Sequence, residues 1–461
     1  MLKQFTTLAI DNEQNISFGT APFPVVCGYG LTIGAGKVFP ELNFTLPPML
    51  IEDTTWNEVK AHYQEIGDMI VRAARRLKLP GLVVEFELLP PMTDHPHWGA
   101  EITAILHASL KQAHDEFQLP SALRVTPTDI RERKRPPVLR SGEAWDLLCA
   151  SFDQCAAAGA DILSIESVGG KEVHDEALLY GDVRGALFAL GVLAPRDMEW
   201  LWKKIVSLCS DHAVVPGGDS ACGFANTAMQ LSSQGMLPEV LASVIRAASV
   251  VRSLMAFQCG AVGPSKDCAY EGPVLKAITG VPIAMEGKSA SCAHFSPVGN
   301  VAAAMCDLWS NESVQNVRLL SGSAPEAFLE LLAYDCRVFN GAIERDGGKQ
   351  YRSLLVDSDI FLSPQALILS PESTIRIARA IVNEPTSYLQ TVAAARCAVT
   401  IIREASSSTL TLPQRELTWL QKIEGALDAM PSDESALIAE MSDTYGHLFS
   451  ASSYGLEKQM A

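Results

Sequence analysis

The sequence predicts an α/β protein built on a TIM-type (β/α)8 barrel, with an N-terminal arm and a helical C-terminal segment. Three observations support this fold class. Short apolar segments alternate with helix-like segments through most of the 461 residues. These apolar segments are nearly continuous, as parallel strands covered on both faces are. After residue 365 only amphipathic helical patterns follow. The alternative is an open doubly wound sheet, which would bind ligands at a topological switch point.

The repeating unit is a helix followed directly by a strand. From Trp56 to Leu77 apolar residues recur at helical spacing, Pro80 and Gly81 end the helix, and "LVVEFE" follows at once. Further units of the same kind follow along the chain. The predicted strands are "LVVEFE", "SALRVT", "ADILSIES", "HAVVPGGD", "SLMAFQCGAVG", "VPIAMEG" and "VRLLSGSAP", with "RSLLVDSD" as a candidate for the eighth.

These patterns divide the chain into three parts. Residues 1–55 contain no helix–strand unit, so we predict an N-terminal arm folded on the barrel. Residues 56–365 are predicted to form the barrel, and residues 366–461 the helical C-terminal segment. The glycine-rich stretch "CGYGLTIGAG" in the arm lacks the G-x-G-x-x-G spacing and a following helix, so it is a weak nucleotide signal.

Composition narrows the range of functions. The net charge of −17 argues against a nucleic-acid partner, because phosphate binding needs clustered lysine and arginine. The first residues lack the apolar stretch of a secretion signal, and no run of about 18 uncharged apolar residues occurs, so we expect a cytoplasmic protein without a membrane partner. The 11 cysteines are scattered, which argues against a disulfide framework and makes buried thiols the ordinary interpretation.

Three potential metal ligands follow successive predicted strands. Glu166 is the next-to-last residue of "ADILSIES", Cys222 follows "HAVVPGGD", and Cys268 follows "GAVGPSKD". Active sites of parallel barrels gather at the carboxyl ends of the strands, so these side chains are expected at one mouth. One oxygen and two sulfur donors suit zinc, and three protein ligands leave one position open for chemistry. Calcium and magnesium would prefer oxygen ligands throughout.

The spacing of these three residues matches no short motif, so two alternatives stay open. Cys222 and Cys268 are buried thiols and Glu166 is a helix-capping carboxylate in the first alternative. In the second, Cys292 and His294 of "SASCAHF" provide soft metal donors, or line the site without binding a metal.

Several longer segments carry a resemblance to a known family. "ADILSIESVGGKEV", "GGDSACGFANTAM", "GAVGPSKDCAYE", "KAITGVPIAMEGKSASCAHFSPVGN" and "LWSNESV" closely resemble methanol:corrinoid methyltransferases, the zinc subunit of the methanol-cobalamin methyltransferase complex. The resemblance is collinear, from "ISFGTAPFPVVCGYGLTIGAG" through "HPHWGAEI" to the helical end. It implies a TIM barrel with helical additions and zinc held by Glu166, Cys222 and Cys268, the same trio that the strand ends indicate.

The resemblance also implies a reaction and partners. A methyl group would move from methanol to the cobalt(I) of a corrinoid carried by a partner corrinoid protein, and the family association suggests a homodimer within a heterotetramer. Zinc would act as a Lewis acid on the alcohol oxygen. Hydroxide is a poor leaving group, so a proton donor is expected, and Glu85, Asp219 and His294 are candidates by position. Each has an ordinary structural role as its alternative.

Residues beside the ligands raise the question of the cofactor and the substrate. Gly169 and Gly170 would allow close approach of the corrinoid, although plain turn glycines are an equal interpretation. Ala221 and Gly223 flank Cys222, where methanol-using members are more polar, and Phe224 and Phe295 would suit an apolar donor. We favour methanol, with a methoxylated aromatic or another methyl donor as the alternative. A zinc hydrolase and a non-catalytic scaffold for the corrinoid protein are the other hypotheses.

Overall fold

The computed structural model describes most of the chain. The described residues are 2–44, 49–266, 268, 270–288, 290, 295–313, 318–319 and 322–457. His294 and Cys292, two of the candidate ligands, lie outside these ranges.

The core of the structure is a sheet of seven parallel strands in the order β7-β6-β5-β4-β3-β9-β8. An eighth position closes the sheet between β7 and β8. There the N–H of Val262 donates to the carbonyl of Pro216 in β7, and Ser265 forms a parallel bridge with Ile283 beside β8. The strands are β1 Thr20–Cys27, β2 Leu31–Ala35, β3 Phe39–Phe44, β4 Leu82–Glu87, β5 Ser121–Thr126, β6 Ile162–Ile165, β7 Val215–Asp219, β8 Ala284–Glu286, β9 Leu308–Ser313, β10 Arg318–Leu319 and β11 Gly322–Ser323.

Helices surround this sheet and form the C-terminal part of the chain. The α-helices of the barrel region are Trp56–Leu77, Pro90–Asp94, Pro96–Phe117, Glu143–Ala157, Lys171–Tyr180, Val183–Phe188, Ala194–His212, Thr227–Ser233, Glu239–Cys259, Gly272–Thr279, Gly299–Ala303, Ala324–Glu344 and Gly348–Asp359. The later ones are Pro364–Leu369, Pro371–Val382, Ser387–Ser406, Gln414–Asp428, Glu434–Tyr445 and Ala451–Tyr454.

The barrel interior changes in character along the strands. Alternate strand residues face inward, and near the amino ends they form an apolar cluster against the antiparallel β1–β2 hairpin. Two residues further along, the side chains are buried and charged: Glu41, Glu85 and Arg124 occupy neighbouring strands. The polar interior therefore begins about halfway along the strands and leads toward their carboxyl ends.

The fold class predicted from the sequence is confirmed, with a parallel barrel and a helical C-terminal segment. "LVVEFE", "SALRVT", "ADILSIES", "HAVVPGGD" and "VPIAMEG" each contain a strand of the sheet. Three strand predictions are wrong or partly wrong. Most of "SLMAFQCGAVG" lies in the helix Glu239–Cys259, "RSLLVDSD" lies in the helix Gly348–Asp359, and the β10–β11 hairpin in "VRLLSGSAP" stands apart from the barrel.

Polarity and burial explain these differences. The barrel strand β3 lies within the range predicted as an arm, and it carries Pro40 and the inward-facing Glu41. Strand β9, "LWSNES", has the inward-facing Ser310. The helix Glu239–Cys259 is buried on almost every side, so its apolar residues show no helical periodicity. It is the one described helix long and apolar enough to cross a membrane, and its most apolar stretch is wholly buried.

Candidate metal centre

Three side chains converge where the strand order predicts. Glu166 follows β6, Cys222 begins a π-helical turn, Cys222–Asn226, after β7, and Cys268 follows the eighth strand position. The ligand atoms of the three all lie within 4.8 Å of one another. The Sγ of Cys268 is 3.0 Å from Oε1 of Glu166. Residues separated by 56 and 46 positions (222 − 166 and 268 − 222) thus share one small volume.

The surroundings of this cluster disfavour ionisation of its two thiols unless a metal ion is bound. The hydrogen bond from Cys268 lowers the pKa of Cys222, but burial and the charges of Glu166 and Glu286 outweigh it and raise the pKa to about 11. The hydrogen bond to Cys222 and burial raise the pKa of Cys268 well above its ordinary value. A bound divalent cation reverses this balance, because a coordinated thiol is deprotonated outright.

The donor set fits a zinc ion. Ligand atoms around one tetrahedral zinc lie about 3 to 4 Å apart, and the cluster is already close to that spacing. Two sulfurs and one carboxylate match its preference, whereas magnesium and calcium select oxygen. Among the described residues this is the one group of three His, Cys, Asp or Glu side chains close enough to hold a metal. Three donors from the described part of the chain would leave a fourth position for a substrate oxygen.

Asn226 ties the two cysteines together. Its Nδ2 donates to Sγ of Cys222 at 3.4 Å and to the carbonyl oxygen of Cys268 at 2.6 Å. Asn226 itself is 2% exposed, so its amide is fixed by the surrounding protein. Ser220 adds a contact between its Oγ and Sγ of Cys268 at 3.5 Å. These side chains set the orientation of the donors, as the partners of metal ligands commonly do.

A buried lysine links the cluster to the barrel interior. The Nζ of Lys266 lies 2.9 Å from Oε1 of Glu85, 2.9 Å from Oε1 of Glu87 and 3.6 Å from Oε1 of Glu166. Glu85, one of the predicted proton donors, also accepts a hydrogen bond from Thr126 at 2.7 Å. Lys266 thus lies between Glu85 and the candidate ligand Glu166 and contacts both carboxylates.

Asp219, another predicted proton donor, is fully buried at the end of β7. Its Oδ1 lies 3.0 Å from Nη2 of Arg252 and accepts from the N–H of Ser167 at 3.4 Å, and its Oδ2 accepts from Nε1 of Trp202 at 3.3 Å. Ser167 directly follows Glu166. These contacts indicate a positioning role, because they fix the backbone beside the candidate ligand.

Gly169 and Gly170, predicted to approach the corrinoid, are buried in the loop after β6. A Cβ on Gly169 would lie 2.3 Å from Cβ of Asp197. Gly170 has a φ of 87°, and its N–H donates to the hydroxyl of Tyr454 at 2.9 Å. Contacts within the chain therefore account for both glycines, which favours the turn interpretation over contact with a cofactor.

Replacing Gly169 by alanine is expected to destabilise the protein by about 1 to 3 kcal/mol, because the new methyl group would overlap the buried side chain of Asp197. Urea denaturation measures the change. The matched control is Gly425→Ala, since a Cβ at Gly425 meets no atom within 4 Å and the helix Gln414–Asp428 should gain up to about 1 kcal/mol. Equal stability of the two variants would contradict this packing.

The aromatic residues discussed for an apolar substrate occupy two different environments. Phe224 is fully buried, 5.1 Å from the ring of His174 and 4.8 Å below the guanidinium of Arg252. Phe295 is 45% exposed. Phe224 therefore packs in the core, and the expectation that it receives an apolar methyl donor is not supported.

Sequence reasoning missed Lys266, Asn226 and Arg252. Lysine and arginine are almost never fully buried unless they are paired. Lys266 stands two residues before Cys268 in "GPSKDC", and Asn226 stands four residues after Cys222, one helical turn away. Arg252 lies inside an otherwise apolar helical segment. Closeness in sequence to a proposed ligand was thus the signal that could have identified Lys266 and Asn226.

Known proteins match this chain over almost its whole length. A family model, methanol-cobalamin methyltransferase B subunit (MtaB), matches residues 2–455. The methanol–corrinoid protein co-methyltransferase of Methanosarcina barkeri (strain Fusaro / DSM 804) is 37% identical over 436 residues, which cover 94% of each chain. A chain in the crystal structure of the methanol:cobalamin methyltransferase complex MtaBC from Methanosarcina barkeri is 35% identical with a TM-score of 0.94, and the match covers 98% of this chain and 100% of that chain.

Proposed function

The chain belongs to the family of methanol-cobalamin methyltransferase B subunits, and we propose that its Glu166, Cys222 and Cys268 hold a zinc ion that activates methanol. The enzyme transfers the methyl group of methanol to the corrinoid of a partner protein. The observation that carries the zinc assignment is the convergence of the three donors within 4.8 Å.

The reaction breaks a strong C–O bond. Transfer of the methyl group to the cobalt(I) of the partner's corrinoid would leave the electrons of the C–O bond on the oxygen, which would need to take up a proton to leave as water. Bound zinc supplies a Lewis acid for the alcohol oxygen. The chain contributes the donor set, the open position beside it, and the surrounding hydrogen bonds that fix the donors before the reaction.

Contacts are described for two of the three predicted proton donors, Asp219 and Glu85. Asp219 holds Arg252 and the backbone of Ser167, and Glu85 holds Lys266, so both serve to position charge and backbone around Glu166. His294, the third candidate, lies outside the described residues and stays a predicted proton donor to the departing oxygen. Its imidazole is the type of side chain that exchanges a proton near neutral pH.

The packing around Cys222 favours a small substrate. Phe224 is turned into the core, where it lies against His174 and Arg252. An aromatic methoxy donor would need an apolar slot beside the open coordination position, and Phe224 does not supply one. Methanol, the substrate for which the family and its relative are named, needs only a small polar site.

The partner is a corrinoid protein, which the name of the Methanosarcina barkeri relative states, and the similar solved structure is of a methanol:cobalamin methyltransferase complex. We also propose that two copies of this chain associate and each carries one corrinoid protein, which gives a heterotetramer. Sedimentation of the purified chain with its corrinoid partner should give the mass of two copies of each, and a one-to-one complex would contradict this assembly.

Metal analysis combined with methyl transfer to free cob(I)alamin tests the proposed function. The purified protein should contain about one zinc per chain and should methylate cob(I)alamin with methanol as donor. Methoxylated aromatic donors should give no transfer. A protein without zinc, or one active only with a methoxy donor, would contradict the proposal.

Replacing Asn226 by alanine is expected to weaken zinc binding by about 10- to 100-fold, because both cysteines lose the amide that orients them. Competition with a chromophoric chelator measures the affinity. The control is Asn340→Ala: its amide bonds the backbone of Val38 and touches neither cysteine, so zinc affinity should stay unchanged. Wild-type affinity in the Asn226 variant would show that the amide does not orient the donors.

A further inference from the structure

Lys266 is a buried, positively charged side chain beside the candidate metal centre. Its side chain has 0% exposure, and its ammonium lies within 3.6 Å of carboxylate oxygens from Glu85, Glu87 and Glu166. Burial of a charged group on this scale costs several kcal/mol unless nearby opposite charges compensate for it. The position is therefore maintained by specific partners, and one of them is a proposed ligand.

The other two carboxylates serve as anchors for this ammonium. Glu85 has an exposure of 1% and lies 4.0 Å from the guanidinium of Arg124, so part of its charge is already balanced. Glu87 is 30% exposed and is screened by water. Lys266 is held between them and faces Glu166, whose Oε1 it approaches to 3.6 Å.

The charge of the site explains why a cation belongs there. Two thiolates and one carboxylate carry three negative charges, against two positive charges on a zinc ion. The excess negative charge opposes the further negative charge that develops on the oxygen as the C–O bond breaks. One more positive charge beside Glu166 offsets this excess.

We propose that Lys266 is a positioning residue that offsets the negative charge of the metal ligands through Glu166 and so favours departure of the alcohol oxygen. This inference rests on the proposed function. Lys266 then contributes to the rate of methyl transfer and not to zinc binding. Removing a positive charge beside anionic ligands should leave zinc binding as tight as before or tighter, while methyl transfer slows.

The test is Lys266→Gln, which keeps hydrogen-bond donors for Glu85 and Glu87 but removes the charge. We expect about one zinc per chain, zinc affinity no weaker than in the wild type, a kcat lower by about 10- to 100-fold, and little change in KM for methanol. Lys266→Arg, which keeps the charge, should recover a substantial part of kcat. Chelator competition and steady-state transfer to cob(I)alamin supply these values.

A second buried lysine provides the matched control. Lys276 also has 0% exposure and lies 2.8 Å from Oδ2 of Asp307, and its other partners are the backbone carbonyls of Ser17 and Met305. Lys276→Gln should lower thermal stability and leave zinc content and kcat unchanged. It reports what loss of a buried lysine does outside the metal centre.

Two results would overturn the role of Lys266. A Lys266→Gln variant that binds zinc more than 10-fold more weakly would make the lysine a structural support of the metal. A variant with a kcat within twofold of the wild type would remove it from the chemistry. Wild-type protein without zinc or methyl transfer would instead overturn the proposed function, so the two failures are distinguishable.

Discussion

Replacing Cys268 by alanine is expected to remove the metal and to lower kcat/KM for methyl transfer by at least about 1,000-fold. Cys268 contacts both Glu166 and Ser220, and it is one of only two soft donors in the cluster. The remaining thiol and carboxylate cannot complete a three-ligand zinc site. Metal analysis of the purified variant and transfer from methanol to cob(I)alamin measure both effects, and Cys222→Ala should behave in the same way.

The matched control is Cys397→Ala. Cys397 is a partly buried free thiol on the helix Ser387–Ser406, outside the cluster. This variant should keep one zinc per chain and wild-type kcat. If both Cys222→Ala and Cys268→Ala retained zinc, the ligand assignment would be wrong.

Replacing Arg131 by methionine is expected to destabilise the protein by about 3 to 5 kcal/mol. Arg131 is fully buried between Asp129 and Asp197, with hydrogen bonds of 2.7 and 2.8 Å to both carboxylates. Methionine keeps the volume but leaves two buried carboxylates without their counter-ion. Asp129 also accepts a hydrogen bond from the N–H of Val168 at 3.1 Å. The loop after Glu166 should therefore become less ordered in the variant, and the proposed site should bind zinc less tightly.

Arg133 provides a control that distinguishes the loss of a buried charge from the loss of an exposed one. Arg133 lies in the same short 3-10 helix, Ile130–Arg133, but its side chain is 46% exposed in its ion pair with Asp94. Arg133→Met should change stability by less than about 1 kcal/mol, as surface ion pairs generally do. Urea denaturation of the two variants measures the difference, and similar losses would contradict the special role of the buried network.

The three proposed metal donors were predictable because barrel geometry relates distant residues. Strands β6 and β7 are recognisable in sequence as apolar runs, and their carboxyl ends lie side by side. Glu166 and Cys222 therefore had to face the same mouth once the barrel was assumed. Cys268 was placed by the same reasoning, although most of the strand predicted before it is helical.

The polar half of the barrel could not be predicted from apolar sequence patterns. Strand β3 contains Glu41 and Asn43, which face a charged interior and break the apolar pattern that identifies a buried strand. Lys266 looks like an ordinary loop lysine in sequence, and its burial depends on Glu85 and Glu87, about 180 residues earlier in the chain. Such pairings follow from three-dimensional contacts alone.

X-ray absorption at the zinc edge of the purified protein tests the central claim most directly. The proposed site predicts two sulfur neighbours at about 2.3 Å and the remaining neighbours as oxygen at about 2.0 to 2.2 Å. Addition of methanol should change the oxygen shell and leave the two sulfurs in place. A zinc shell without sulfur, or with four sulfurs, would contradict the assignment of Glu166, Cys222 and Cys268.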